Sequence, residues 1–95
     1  MDIEGIRHKA LNRYFLTGNA KGLDANIAPR LLKMLTYILN AGTFEDLKMP
    51  PNYGLHPLVG NRSGEWAMTL TRNWRLTFRK IDEQSITDLD IEDYH

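Results

Sequence analysis

Five polar residues in the second half of the chain have side chains suited to proton transfer or to anion binding: His56, Arg75, Asp93, Tyr94 and His95. An imidazole titrates near neutral pH and serves general acid–base catalysis, and a carboxyl and a phenol can also move protons. A guanidinium binds an anion through charge-assisted hydrogen bonds. The last three of these residues are consecutive and follow a predicted strand directly, which indicates a cluster of proton-transfer groups held by a sheet.

Each of these residues also fits a purely structural role. A single histidine between a short strand and a proline, as at His56, is often a packing or hydrogen-bonding residue. Arg75 can pair with Asp88 or Asp90 across a hairpin, and residues 93–95 can be a frayed tail. The residue types by themselves leave both interpretations open.

Charge is unevenly distributed, although 12 Lys and Arg balance 12 Asp and Glu. Residues 81–95 contain six acids and neither lysine nor arginine, whereas the preceding segment, residues 56–80, contains one acid, Glu65. Zero net charge argues against an unspecialised polyanion binder. One explanation is a β-hairpin whose outer faces attract each other, and the other is an arginine face for an anionic ligand. The cations of residues 56–80 are Arg62, Arg72, Arg75, Arg79 and Lys80.

Several kinds of site have no support in the sequence. There is no cysteine, and the three histidines lack partners at metal-ligand spacing. A glycine-rich phosphate loop and a Gly-x-Ser-x-Gly elbow are also missing. We therefore expect neither a metal nor a cofactor. Apolar runs are too short for a membrane span, and the acidic N-terminus does not resemble a signal peptide, so we expect a cytoplasmic protein without membrane contact.

Two helices are predicted in the first half of this single domain, residues 1–95. Apolar spacing of three and four predicts helices over residues 8–16 and 25–40, the second capped by Asp24. Phe44 and Leu47 are expected to pin the following connector to the core.

Alternating residues predict strands over 65–70, 74–80 and 85–91, besides a short first strand within 2–6 and an extended segment at 53–58. Helices followed by strands indicate an α+β fold, an antiparallel β-meander covered on one face by two N-terminal helices. The residues expected to face the core are Trp66, Met68, Leu70, Trp74, Leu76, Phe78, Thr87, Leu89 and Ile91.

An ordered set of short motifs extends over nearly the whole chain. It comprises His8-Lys9-Ala10-Leu11, Arg13-Tyr14-Phe15 with Gly18, Pro29-Arg30-Leu31, Leu55-His56-Pro57-Leu58, Gly60-Asn61-Arg62-Ser63-Gly64-Glu65-Trp66, Asn73-Trp74-Arg75-Leu76-Thr77-Phe78-Arg79 and Ile91-Glu92-Asp93-Tyr94-His95. This set resembles the HigB toxins, the plasmid-maintenance killer branch of the RelE superfamily.

The resemblance implies a small RelE-like fold and the toxin of a type II toxin–antitoxin pair. Such toxins enter the ribosomal A site and cleave the mRNA there without a metal, by attack of the RNA 2′-hydroxyl on the adjacent phosphorus. It also implies a helix-turn-helix antitoxin of the HigA type as partner, through which alone the toxin would contact operator DNA. The family's active-site positions correspond to His56, Asp93, Tyr94 and His95, with Arg75 as the cation beside the phosphate.

Three further arginines, Arg62, Arg72 and Arg79, are candidates for binding RNA. One residue departs from the family pattern, because Val59 stands where a lysine commonly follows the His-Pro-Leu triplet. Losing one cation that stabilises the transition state typically costs about 10²–10³ in rate. The alternative function is therefore a weak or inactive RelE-fold domain that binds an antitoxin and modulates its operon.

Overall fold

Five strands form one mixed sheet in a computed structural model that describes residues 1–93. The sheet order is β1-β5-β4-β3-β2, in which β1 pairs with β5 in parallel and the other neighbours are antiparallel. The strands are β1 (Asp2–Ile3), β2 (His56–Pro57), β3 (Glu65–Thr69), β4 (Trp74–Asp82) and β5 (Ser85–Asp93). The predicted meander corresponds to β3, β4 and β5, and the predicted α+β class is confirmed. The last two strands each extend two residues beyond their predicted ends.

The first helix, α1 (Lys9–Thr17), begins and ends one residue later than predicted, because His8 is its N-cap. The His8 Nδ1 atom accepts a hydrogen bond from the backbone N–H of Leu11 at 3.2 Å and caps the first turn. Gly18 ends the helix with φ = +76°, and its N–H bonds to the carbonyl of Tyr14.

The second helix, α2 (Ala28–Asn40), begins three residues later than predicted, and Asp24 is not its N-cap. The Asp24 carboxylate instead accepts the N–H of Asn26 at 2.8 Å and stabilises a separate turn. Ile27 takes the cap position, and Pro29 lies in the first turn, where its missing N–H costs no helical hydrogen bond. No helix among residues 1–93 is long and apolar enough to cross a membrane.

The core lies between the two helices and one face of the sheet. Leu31, Leu35 and Ile38 of α2 pack into it, and Phe44 and Leu47 of a short 3₁₀ helix (Phe44–Lys48) are fully buried, as predicted. The sheet contributes the buried residues Met68, Leu70, Leu76, Phe78, Ile86, Leu89 and Ile91, with Trp66 and Trp74 half-buried beside them.

The prediction that Thr87 faces the core is wrong. Ile86 is fully buried in its place, and Thr87 pairs with Arg79 on the opposite face. Asp88 has φ = +57°, and the pairing register of β4 with β5 shifts at this point, so a bulge reverses the alternation. Beyond the bulge the alternation agrees again with the prediction for Leu89 and Ile91.

Replacing Leu35 by alanine tests the packing of α2 on the sheet. The side chain is 4% exposed, so Leu35→Ala leaves a cavity, and we expect a loss of about 2–5 kcal/mol in the free energy of unfolding. Chemical denaturation followed by circular dichroism measures it. The matched control is Leu32→Ala on the same helix, at a site 51% exposed, which should change stability by less than about 1 kcal/mol. Equal effects of both changes would contradict this packing.

Candidate active site

The sheet face opposite the helices carries the polar side chains. Strand pairing aligns His56, Ala67, Thr77 and Asp90 in one row across β2, β3, β4 and β5. The neighbouring row contains Thr69, Arg75 and Glu92, and the row on the other side contains Glu65, Arg79 and Thr87. Paired residues of neighbouring strands point to the same side of a sheet.

A carboxylate at the centre of this face, that of Glu92, gathers side chains from three elements. Its Oε1 atom accepts hydrogen bonds from Arg62 Nη1 at 2.7 Å and from Arg75 Nη2 at 3.2 Å. Its Oε2 atom accepts the Thr77 hydroxyl at 2.8 Å and Arg62 Nη2. Four charge-assisted or hydroxyl bonds fix both oxygens and join the loop before β3 to β4 and β5.

Arg62, at the end of a one-turn 3₁₀ helix (Gly60–Arg62), bridges two carboxylates. Its Nε atom donates to Glu65 Oε2 at 3.0 Å and its Nη2 atom to Glu65 Oε1 at 2.9 Å, in addition to the bonds to Glu92. Within the described residues its guanidinium thus donates four hydrogen bonds and is neutralised. Arg62 is a candidate for binding RNA, and in this structure its guanidinium holds the Glu65 and Glu92 carboxylates.

These contacts change the acidity of the groups involved. The hydrogen bond from Arg62, helped by those from Thr77 and Arg75, outweighs the desolvation of the carboxyl and lowers the pKa of Glu92 to about 2. The pKa of Glu65 is also lowered, chiefly by its hydrogen bond with Arg62. The hydrogen bond with Glu92, and after it the hydrogen bond with Glu65, raises the pKa of Arg62. Both carboxylates are therefore ionised throughout the neutral range.

His56 lies on the two-residue strand β2 at one edge of the sheet, and its side chain is exposed. Its Nδ1 atom is 2.8 Å from the carbonyl oxygen of Gly54. A carbonyl only accepts, so Nδ1 is the donor in this contact, and Nε2 is the ring nitrogen left to face a substrate. Among residues 1–93, Nε2 has no hydrogen-bond partner.

A tight turn before β2 sets this position of the imidazole. The Asn52 side chain accepts the N–H of Gly54 at 3.1 Å, and the Asn52 carbonyl accepts that of Leu55 at 3.0 Å. Gly54 has φ = +69°, and a Cβ atom there would come within 2.9 Å of the Thr69 hydroxyl. The turn thus requires glycine at this position.

Two other predicted catalytic residues, Arg75 and Asp93, lie at the end of the sheet where β4 begins and β5 ends. The Arg75 side chain is 19% exposed and lies on the polar face with the row of His56 beside it. Asp93 pairs with Trp74, which packs against the core, so the strand alternation places Asp93 on the helix side of the sheet. Tyr94 and His95 lie outside the described residues.

The remaining candidates are more peripheral. Arg72 is exposed in the turn between β3 and β4. Arg79 is also exposed and lies 3.7 Å from Asp88 and 3.9 Å from Glu65. Val59 is 83% exposed in the loop after β2.

The charge asymmetry of the sequence corresponds to cross-strand pairing on this face. Arg75 pairs with Glu92 and Arg79 with Asp88, as in the hairpin interpretation. The partner of Arg75 expected from the sequence was Asp88 or Asp90, and the observed ion pair is with Glu92 because the strand register sets these two residues opposite each other.

Three residues of the site, Glu65, Thr77 and Glu92, were missed as candidates. Their position on the outward face was visible in the alternation of the sequence, and Thr77, at 1% exposure, is as buried as a core residue. Their roles depend on Arg62 reaching across from its loop, and no local pattern indicates that contact.

Other concave regions are poorer candidates for catalysis. Two apolar cavities of about 370 and 560 Å³ lie beside the helices, and both are lined by Tyr14 and Leu32. Among residues 1–93, no cluster of three or more metal-ligating side chains occurs. The polar sheet face is therefore the candidate active site.

The lowered pKa of Glu92 predicts a pH-dependent stability. The pKa of Glu92 in the folded protein lies below the ordinary value of 4.5. The stabilisation of the fold by its ionised carboxylate is therefore complete above pH 4.5 and is lost as pH falls through about 2. It amounts to on the order of 2–3 kcal/mol. We expect Glu92→Gln to lower the free energy of unfolding at pH 7 and to approach wild type near pH 2, measured by urea denaturation across this range.

The matched control is Glu45→Gln, which removes an exposed carboxylate paired with Lys48. Its effect should stay below about 0.5 kcal/mol at every pH. An effect of Glu92→Gln that is the same at pH 7 and pH 2.5 would show that ionisation of this carboxyl does not stabilise the fold.

Comparison with known proteins identifies the family of the chain. Residues 4–95 match a family model described as the RelE-like toxin of type II toxin–antitoxin system HigB. The chain is 37% identical over 93 residues to Endoribonuclease HigB of Proteus vulgaris, with 98% of this chain and 99% of that protein covered. Its fold is similar to that of a YoeB/ParE toxin from Agrobacterium tumefaciens, with a TM-score of 0.58, 16% identity and full coverage of both chains. The chain therefore belongs to the HigB-like family of RelE-like toxins of type II toxin–antitoxin systems.

Proposed function

We propose that this protein is a ribosome-dependent endoribonuclease that cleaves mRNA in the ribosomal A site and thereby inhibits translation. The observation that carries the proposal is the arrangement of His56 and Arg75 on one sheet face. The Nδ1 atom of the imidazole is occupied by the Gly54 carbonyl, which leaves Nε2 for the substrate, and the guanidinium belongs to the adjacent row of side chains. The name of the Proteus vulgaris relative, an endoribonuclease, supports the same reaction class.

The proposed chemistry needs a base, an acid and a cation. His56 accepts the proton of the RNA 2′-hydroxyl at Nε2 as the 2′-oxygen bonds to phosphorus. Arg75 stabilises the charge on the phosphate oxygens. The bond from phosphorus to the 5′-oxygen then breaks, and that oxygen takes a proton from the acid, a role we assign to Tyr94 or His95, because Asp93 lies on the helix side of the sheet. The products are a 2′,3′-cyclic phosphate and a 5′-hydroxyl.

The charge balance of the site supports dependence on the ribosome. Arg62, Arg75 and Arg79 each lie within 4 Å of a carboxylate on the same face, and the whole chain has zero net charge. Such a face attracts free RNA weakly, because binding to a polyanion depends on uncompensated cations. A ribosome that already holds the mRNA would supply the missing affinity. Arg72, exposed in its turn, is a candidate for contacting RNA.

The partner that follows from the family is an antitoxin. We propose a HigA-like helix-turn-helix protein, through which the toxin would reach operator DNA, and a cytoplasmic location together with the ribosomes.

A second candidate function rests on Val59. This exposed valine occupies the position of a family lysine, and a side chain without charge cannot stabilise a phosphate there. Arg62 does not offer an obvious replacement, because it is neutralised by Glu65 and Glu92. A catalytically weak domain that binds an antitoxin and modulates its operon is the alternative.

Growth of a bacterium that expresses the chain distinguishes the two functions. We expect induction of the wild-type protein to arrest growth and co-expression of the cognate antitoxin to restore it. Primer extension on a translated reporter mRNA should show cleavage that disappears when translation of the reporter is blocked. His56→Ala, at an exposed position, should fold and should lose at least about 10²-fold in cleavage. Normal growth while folded wild-type protein accumulates would favour the interaction domain.

Restoring the family lysine tests the importance of Val59. The site is 83% exposed, so Val59→Lys should fold without strain, and we expect it to raise mRNA cleavage by up to about 10²-fold. The matched control is Leu16→Lys, an equally apolar-to-basic change at a residue 72% exposed on α1. An equal increase in both variants would mean that added charge, and not its place beside the active site, accelerates the reaction.

A further inference from the structure

We infer that Glu92 is a positioning residue for RNA cleavage, because its carboxylate holds the Arg75 guanidinium in place on the sheet face where the phosphate is to bind. The inference rests on the nuclease function proposed above. It assigns to Glu92 a part in the reaction that is distinct from those of His56 and of residues 94–95.

The carboxylate of Glu92 is itself fixed from several sides. Arg62 donates to both of its oxygens, from Nη1 to Oε1 at 2.7 Å and from Nη2 to Oε2. The hydroxyl of the buried Thr77 also donates to Oε2. Arg62 is in turn tied to Glu65, which is only 9% exposed. Rotation of the Glu92 carboxylate would break bonds to two other side chains, so it offers a rigid acceptor.

Arg75 contacts this rigid acceptor through one of its terminal nitrogens. Nη2 is 3.2 Å from Glu92 Oε1, and the two residues are paired across β4 and β5. An arginine side chain has several rotatable bonds, and ordering it on substrate binding costs conformational entropy. A guanidinium that is already oriented binds the phosphate with a smaller entropic cost and in the geometry that the reaction needs.

The negative charge of Glu92 distinguishes a positioning role from a role in attracting RNA. Glu92 places a negative charge beside the expected phosphate position, so Coulomb's law alone predicts that its removal strengthens RNA binding. A positioning role predicts the opposite effect on the chemical step, since Arg75 would then lose its orientation. Binding and chemistry should therefore respond to Glu92→Gln in different directions.

The test is single-turnover cleavage of mRNA on programmed ribosomes with purified full-length toxin at varied concentration. We expect Glu92→Gln to reduce the maximal rate by about 10–10²-fold, while the concentration for half-maximal rate stays equal or falls. Arg75→Lys should also reduce the maximal rate, and the double variant should be no slower than the slower single variant. Glu45→Gln, a carboxylate outside the site, serves as the control and should behave as wild type.

Each outcome decides the inference. A Glu92→Gln protein with an unchanged maximal rate, or rate effects of Glu92→Gln and Arg75→Lys that multiply in the double variant, would overturn it while leaving the nuclease function intact. An inactive wild-type toxin would overturn the proposed function and the inference together. If Glu92→Gln does not fold, Glu92→Asp replaces it, because the shortened carboxylate keeps the charge but moves away from Arg75, and a full maximal rate in that variant would likewise overturn the inference.

Discussion

The register of β4 on β5 is the constraint on which the site and the core both depend. It sets Arg75 opposite Glu92 and, one residue further, Leu76 opposite Ile91, so that a charged pair and an apolar pair alternate across the same two strands. A slip of one residue would turn every side chain to the wrong face. The bulge at Asp88 then lets Ile86 reach the core although the strict alternation would place Thr87 there. One strand pairing therefore determines which residues pack in the core and which lie on the polar face.

The polar face is the proposed RNA-binding surface, yet three of its arginines, Arg62, Arg75 and Arg79, are already paired with carboxylates among the described residues. Arg62 and Glu92 form a partly buried ion pair, and its hydrogen bonds fix the orientation of both side chains in addition to stabilising the ionised carboxylate. In the function proposed above, these pairs would orient Arg75 toward a phosphate of mRNA that the ribosome already holds. The arginines of one sequence segment then have two separate tasks, because Arg62 holds carboxylates and Arg75 is proposed to bind the phosphate.

Much of this could be predicted from the sequence, for physical reasons that differ between elements. Clean alternation in residues 65–70 and 74–80 determined the faces of β3 and β4, and the spacing of Leu31, Leu35 and Ile38 determined the buried side of α2. Contacts between distant residues could not be predicted in this way. The two-residue β1 pairs with β5 from the far end of the chain, and Arg62 reaches Glu92 thirty residues away. Asp24 has the right residue type for a helix cap, but its side chain satisfies a nearer turn, which local propensity does not distinguish.

The shortness of β2 has a consequence for how the protein behaves at high concentration. Edge strands expose unpaired backbone groups that can recruit a strand from another molecule and start aggregation. Here the edge consists of two residues, and Pro57 has no N–H to offer to an incoming strand. The sheet edge that carries His56 is thereby protected from pairing with a second molecule, although no other element covers it among the described residues. Substitutions that lengthen this edge, for example at Pro57, would add an unpaired backbone N–H and favour aggregation through strand pairing.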